Sequence, residues 1–281
     1  MFEIFKTVLM LSCIGAGMTM LLLLLKPLTV RKFPAKWQYA IWFVVVVCMV
    51  IPLWNFIPQR DMQMMAPQEA VGQIAQSDNQ ENAAEIETVI IEQTPMEYRE
   101  IPITASRSIR IYDLVAYLWF GGMGVFLLLA FGSYFLFLMR KKHGSIELTE
   151  YEVFEEVKKE LHIRRHIRLR VSKAAASPML VGTFFPVVYV PSNQLDKETE
   201  RMIFRHELTH YKHGDLVFKW LTLLVNAVHW FNPFAYLLSA NVSEACEVSC
   251  DMAVIKNLSE QEQKFYMNTI LDLVEQEKRR K

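Results

Sequence analysis

Neither sign of charge prevails in this chain: 30 Lys and Arg stand against 30 Asp and Glu over 281 residues. That balance excludes the net basic surface that attracts nucleic acid, and no direct nucleic-acid partner is expected. Cysteine is scarce, with four residues in all, so no disulfide framework is available. Cys13 and Cys48 lie in apolar runs, where a buried thiol is the ordinary reading; Cys246 and Cys250 are spaced i, i+4. No internal repeat is present. Charge is also missing from three long stretches, residues 7–25, 38–57 and 114–139. Each is long enough to cross roughly 30 Å of hydrocarbon as a helix. The first run lacks a compact small-x-small cleavage site, and a second follows closely. Both facts argue against a removed signal peptide.

The expected organisation is therefore a multi-pass cell-membrane protein in the lipid bilayer. Two transmembrane helices, about 5–25 and 38–57, fill residues 1–57, and a third fills 111–140. Orientation follows from the short basic loops. Lys26, Arg31, Lys32 and Lys36 separate the first two runs, and Arg140, Lys141 and Lys142 follow the third. Residues 58–110 hold nine acidic residues and four Arg. The acidic segment is expected outside as a flexible loop, with one short strand at 87–92. The N-terminus is expected outside too, and residues 141–281 in the cytoplasm at the membrane.

In that last part, 148–161 suits an amphipathic helix, 162–166 is a basic patch facing lipid or solvent, and 167–171 alternates as a half-buried strand. Residues 179–181 and 186–190 look like two more strands of a small antiparallel sheet. Asp196 is placed to cap the next helix, and Gly214 to end it. Residues 216–238 are mostly apolar and by length could cross again. Lys219, His229 and Asn232-Pro233 within them favour a segment that bends back.

The chemistry concentrates in His206-Glu-Leu-Thr-His210. A helix turns about every 3.6 residues, so both imidazoles project from one face, where they can ligate zinc. Glu207 beside them is placed to take a proton from zinc-bound water. Two His do not complete such a site. Downstream, Ser243-Glu-Ala-Cys-Glu-Val-Ser-Cys-Asp251 offers Glu244, Cys246, Glu247, Cys250 and Asp251. A carboxylate ligand with a second carboxylate orienting a ligating His is a sensible arrangement, and buried packing is the simpler role for the two Cys. His229, Asn232 and Tyr211 are candidates to stabilise an oxyanion. The strand at 187–190 is a candidate edge for an added substrate strand. Asp215 either caps the following helix or supports a zinc ligand.

Together, His206-Glu-Leu-Thr-His210, Leu216, His229-Trp-Phe-Asn-Pro233 and Glu247-x-x-Cys-Asp251 resemble the BlaR/MecR-type antirepressor membrane metallopeptidases of bacterial β-lactam signalling. Ser177-Pro178, Gly182 and Pro186-Val-Val-Tyr-Val-Pro191 extend the likeness. The resemblance implies a cytoplasmic α+β gluzincin-like zinc domain on an α-helical membrane protein, its small antiparallel sheet set beside the HExxH helix. It implies Zn2+ held by His206, His210 and Glu247, with Glu207 as catalytic base and acid and Asp251 as the partner behind a ligating His. It also implies a protein substrate, a transcriptional repressor or the chain itself, cleaved in response to an envelope or antibiotic signal; a homodimer stays open. The chain contains no Ser-x-x-Lys, the acylated nucleophile of β-lactam sensors. A short member without the C-terminal penicillin-binding sensor is therefore expected, naturally short or truncated. Two other functions stay open: a Ste24-like membrane processing or quality-control protease, and a non-catalytic signalling receptor or scaffold. Glu207 weighs against the last, since a binding-only zinc site needs no base.

Overall fold

The computed structural model describes residues 2–52, 111–192 and 195–280; the acidic loop and its expected strand lie outside them. Three apolar helices come first: α1 (Phe2–Lys32), α2 (Ala35–Val50) and α3 (Ile111–Lys142). Leu, Val, Ile, Met and Phe run round their whole circumference, the pattern of helices with apolar surroundings on every side. α1 and α3 are long and apolar enough to cross a membrane, and they enclose the spans expected at 5–25 and 111–140. α2 starts three residues before its expected span, and that span's residues beyond 52 lie outside the described residues. Gly15 lets α1 and α2 approach, since a Cβ there would fall 2.4 Å from the Met49 side chain.

Four strands, β1 (Ile146–Leu148), β2 (Arg168–Val171), β3 (Met179–Val181) and β4 (Val187–Val190), form one sheet in the order β1-β2-β4-β3. The expected antiparallel sheet is a mixed one. β1 pairs antiparallel with β2 and β3 antiparallel with β4, but β2 and β4 run parallel, with Leu169 beside Val188. The cause is the β3–β4 hairpin, which turns at Gly182 with φ +88°, where a Cβ would meet the Phe185 carbonyl at 2.5 Å. The hairpin lays its second strand, not its first, against β2. β4 is thus an interior strand, and the expectation that residues 187–190 offer an edge is corrected: the free edges are β1 and β3. β1 also takes the residues just before an expected helix, and α4 (Glu152–Glu160) starts later than expected.

α5 (Lys197–His213) carries the His-Glu-Leu-Thr-His pentapeptide. The Asp196 carboxylate accepts from the Thr199 N–H at 2.9 Å, and Gly214, with φ 75°, ends the helix. Its apolar face, with Phe204 and Leu208, packs on Leu169 and Val188 of the sheet and Phe154 of α4.

The run 216–238 is two helices. α6 (Asp215–Val228) stops before His229, and α7 (Pro233–Ile255) begins after Asn232, whose side chain accepts from the Phe234 N–H at 2.9 Å. Proline at the first helical position has no N–H to leave unpaired. α7 packs back along α6, and Phe218, Val225, Leu238 and Val242 share one core with Trp42, Val45 and Met49 of α2. The turn between them is tied to the apolar helices by polar atoms. His229 Nε2–H donates to the Met49 carbonyl at 3.1 Å, and Asn232 Nδ2 to Ser12 Oγ at 2.7 Å. Trp119 Nε1 donates to the Val228 carbonyl at 2.8 Å. α8 (Glu260–Arg280) buries Tyr266 against Met202, Val254 and Leu258.

Candidate metal centre

α5, α6, α7 and α8 bring six polar side chains together: His206, His210, Asp215, Glu247, Asp251 and Tyr266. His206 and His210, one turn apart on α5, face α7 with their Nε2 atoms 3.1 Å apart. Glu247 on α7 places Oε2 3.2 Å from His210 Nε2 and 3.6 Å from His206 Nε2. Nitrogen and oxygen ligands about 2.0–2.1 Å from a tetrahedral zinc ion lie about 3.3 Å from one another. The triangle therefore fits one such ion to within a few tenths of an ångström.

The outer nitrogens of both imidazoles are held. His210 Nδ1–H donates to Asp215 Oδ2 at 2.6 Å, and Asp215 is fully buried. Asp215 makes no side-chain cap on α6; of its two readings, the bond to His210 is the one the geometry supports. The Tyr39 hydroxyl of α2 and the Cys246 thiol also interact with this carboxylate. His206 Nδ1–H reaches the Tyr266 hydroxyl oxygen at 2.7 Å, and that hydroxyl donates to Asp251 Oδ1 at 2.6 Å. Asp251 also lies 3.3 Å from His206 Nδ1 directly. With both Nδ1 atoms held as donors, both Nε2 atoms face inward, and each offers a lone pair once its proton is released, as metal ligation requires.

Cys250 is a rival donor: its sulfur groups with His206 and His210 atoms within 4.8 Å. Its thiol, however, lies 3.8 Å from His206 Nδ1 and donates to the His206 carbonyl at 3.4 Å. It thus addresses the Nδ1 side of His206, and it also interacts with His210.

Glu207 lines the same cavity, of about 520 Å³, with Met179 and Leu180 of β3, Lys219 of α6 and Ile270 of α8. Burial pushes its carboxyl above the usual range, opposed by the two imidazoles and by the Leu180 backbone N–H. Burial also pushes Glu247 up, but hydrogen bonds from His206 and His210 outweigh it and hold this carboxyl well below the usual range. Burial alone would lower both imidazoles. Instead Asp251 holds His206 well above its ordinary value, and Asp215 lifts His210 to about 11. The carboxylates surrounding the two rings thus favour positive charge between them.

Three sequence candidates are not brought here. His229 and Asn232 are buried in the α6–α7 turn, with polar atoms bonded to Met49 and Ser12. The length of α6, about 20 Å at 1.5 Å per residue, separates that turn from Asp215. Tyr211 packs in the core between α5 and the sheet. None of the three lines the cavity, so their expected oxyanion role is corrected. Glu244 pairs with Lys26 of α1 at 2.5 Å instead of joining the centre. Tyr266 is the polar residue that sequence reasoning missed. Its signal was the apolar spacing of Phe265, Ile270 and Leu273, which marks a buried face on an otherwise charged helix.

Over residues 6–281 the chain matches the family model described as BlaR1 peptidase M56. The chain belongs to the BlaR1 peptidase M56 family. It is 25% identical to the methicillin resistance mecR1 protein of Staphylococcus aureus, over 94% of this chain and 45% of that protein. It is 28% identical to the regulatory protein BlaR1 of Bacillus licheniformis, over 54% of this chain and 26% of that protein. A regulatory protein BlaR1 of Staphylococcus aureus is 23% identical over 50% of this chain and 25% of its own length. The M56 chain thus spans less than half the length of the curated relatives it matches.

Proposed function

We propose that this M56 chain is a membrane-embedded zinc endopeptidase with a cytoplasmic cleft. It works as a regulatory protease that cuts a repressor-like protein, or itself, in response to an envelope or antibiotic signal. One observation carries the reading: the inward triangle of His206 Nε2, His210 Nε2 and Glu247 Oε2, with Glu207 in the same cavity. His206, His210 and Glu247 are assigned as ligands, and Asp215, Tyr266 and Asp251 as the groups that fix both imidazole tautomers. Bound zinc supplies a Lewis acid that lowers the pKa of a water molecule and polarises the scissile carbonyl.

Glu207 accepts the proton as that water attacks, then hands it to the leaving amine. Burial makes Glu207 a stronger base than a solvated carboxylate, which suits that task. The substrate is an extended chain laid along the free edge of β3, the strand that borders the cavity. Membrane placement is supported by two helices long and apolar enough to cross. The cytoplasmic side is assigned from Lys26, Lys36, Arg140, Lys141 and Lys142 beside the apolar runs. The regulatory role draws on the likeness to the regulatory proteins BlaR1 of Bacillus licheniformis and Staphylococcus aureus.

Glu207→Gln tests this directly. Zinc content measured on the purified protein should equal that of the parent. Cleavage of the host protein that accumulates with the variant should fall by about 10²–10⁴-fold. Cleavage at the parental rate would remove the enzyme reading.

A further inference from the structure

The β3–β4 hairpin has a second face, turned toward α3. At its tip Phe184 and Phe185 are each 78% exposed, and adjacent bare aromatic rings mark an interaction site. Beside them Phe131, Phe135 and Leu138 of α3 and Val217 and Trp220 of α6 wall an apolar groove of about 940 Å³. Lys142 and Arg168 stand at its rim. The Arg165 guanidinium donates to the Phe184 carbonyl, so the basic 162–166 segment is fastened to the aromatic tip.

We propose that this groove holds an acyl chain of an anionic phospholipid, with the lipid phosphate on Lys142 and Arg168. Phe184 and Phe185 sit in the same leaflet. Three observations select this occupant. The groove continues the exposed apolar surface of α3, one of the two helices able to cross a membrane. Its walls are almost wholly apolar, which suits a hydrocarbon chain and gives an extended peptide few partners for its backbone groups. Its rim carries the cations that a phosphate needs, next to the Arg140–Lys142 turn that ends α3. The proposal rests on the membrane placement of α3 and not on peptidase chemistry. Its consequence is mechanical: the hairpin braced by lipid also borders the cleft through Leu180.

The test uses the full chain in phosphatidylcholine nanodiscs doped with a phosphatidylglycerol bearing a photoreactive diazirine on its acyl chain. Crosslinks are mapped by mass spectrometry and compared with those of the matching phosphatidylcholine probe. Residues 131–142 and 179–190 should be labelled at least about threefold more by the phosphatidylglycerol probe. K142Q/R168Q should abolish that preference, and F184S/F185S should reduce hairpin labelling, while α1 labelling stays constant. V217W, which fills the groove while leaving Phe184, Phe185, Lys142 and Arg168 unchanged, should displace the chain even if the double Phe variant fails to fold. An unlabelled hairpin, equal labelling by the two probes, a preference that survives K142Q/R168Q, or labelling unchanged in V217W would each overturn the proposal. None of these readouts depends on proteolysis, so their failure is separable from failure of the proposed peptidase activity.

Discussion

The two ends of the α6–α7 hairpin are built from similar materials and used in opposite ways. At one end, Asp215, Glu247 and Asp251 surround two histidines whose Nε2 atoms converge on a common point. At the other, His229 and Asn232 are as deeply buried, yet their polar atoms bond Met49 and Ser12 in the apolar helices. A buried histidine in a family motif therefore carries no chemistry by itself. What separates the two ends is where the ring nitrogens face: both Nε2 atoms of the first end share one space with Glu247, whereas His229 Nε2–H is committed to a backbone carbonyl and its buried Nδ1 faces no ligand set. One end is fitted for a cation; the other anchors the domain to its helices.

The strongest way to break that contrast is Glu247→Gln. An amide retains the shape and removes the charge that completes the triangle. Zinc affinity should fall by more than about a hundredfold, and cleavage with it, as read by competition with a chromogenic chelator. Retained zinc with an intact triangle of other donors would move the third ligand to Cys250. The next largest effects sharpen the comparison through the outer nitrogens. Asp215→Asn and Tyr266→Phe should each cost about 10–100-fold in zinc affinity, Tyr266→Phe less, because Asp251 still lies 3.3 Å from His206.

Acidity should separate the two states of the same end. His210 holds its proton up to about 11 when no cation competes, so zinc uptake releases protons and apparent affinity falls as pH falls. The metal-free protein behaves in the opposite sense. A folded pKa raised above about 6.5 gives stability that is fully present below that value. It is lost as pH rises through the folded value. Thermal melts with and without chelator, run across pH 6–9, should therefore show the zinc-induced gain in Tm growing with pH.

At the anchoring end the expected effect is smaller and of another kind. His229→Ala removes a buried hydrogen bond and leaves the Met49 carbonyl without its partner, which should destabilise the fold by about 1–3 kcal/mol. Zinc affinity should stay at the parental value in a chelator competition. A large loss of zinc would mean that the two ends are coupled through α6.

The sequence was most legible where one physical rule acts locally. The pentapeptide spacing, the Asp196 cap, the Gly214 stop and the two long apolar helices each follow from helix geometry within a few turns. Asn232-Pro233 marked the break in the apolar run for the same reason, since it caps one helix and cannot continue another. The sheet was less legible. Strand pairing depends on which strand of a hairpin meets β2, and residues 179–190 read alike in either arrangement. The spacing on α8 could mark Tyr266 as lying near a buried face, but not its partner, because a contact across 60 positions leaves no local signal. His229 and Asn232 misled because polarity inside an apolar run marks a buried partner without saying whether that partner is substrate or backbone.

The smallest expected effect is the one that assigns the carboxylates of α7. Glu244 and Glu247 lie one turn apart, and from sequence alone either could face the histidines. Lys26 decides between them: its ammonium contacts Glu244 at 2.5 Å and Asn241 at 2.9 Å, holding Glu244 toward α1. That pair is largely exposed, and such pairs contribute between about 0 and 1 kcal/mol. Glu244→Gln should therefore shift Tm by no more than a few degrees and leave zinc content and cleavage at parental values. Loss of zinc in Glu244→Gln but not in Glu247→Gln would mean that α7 is rotated by a turn's face in the working protein. The Lys26 contact would then be the switch between the two faces.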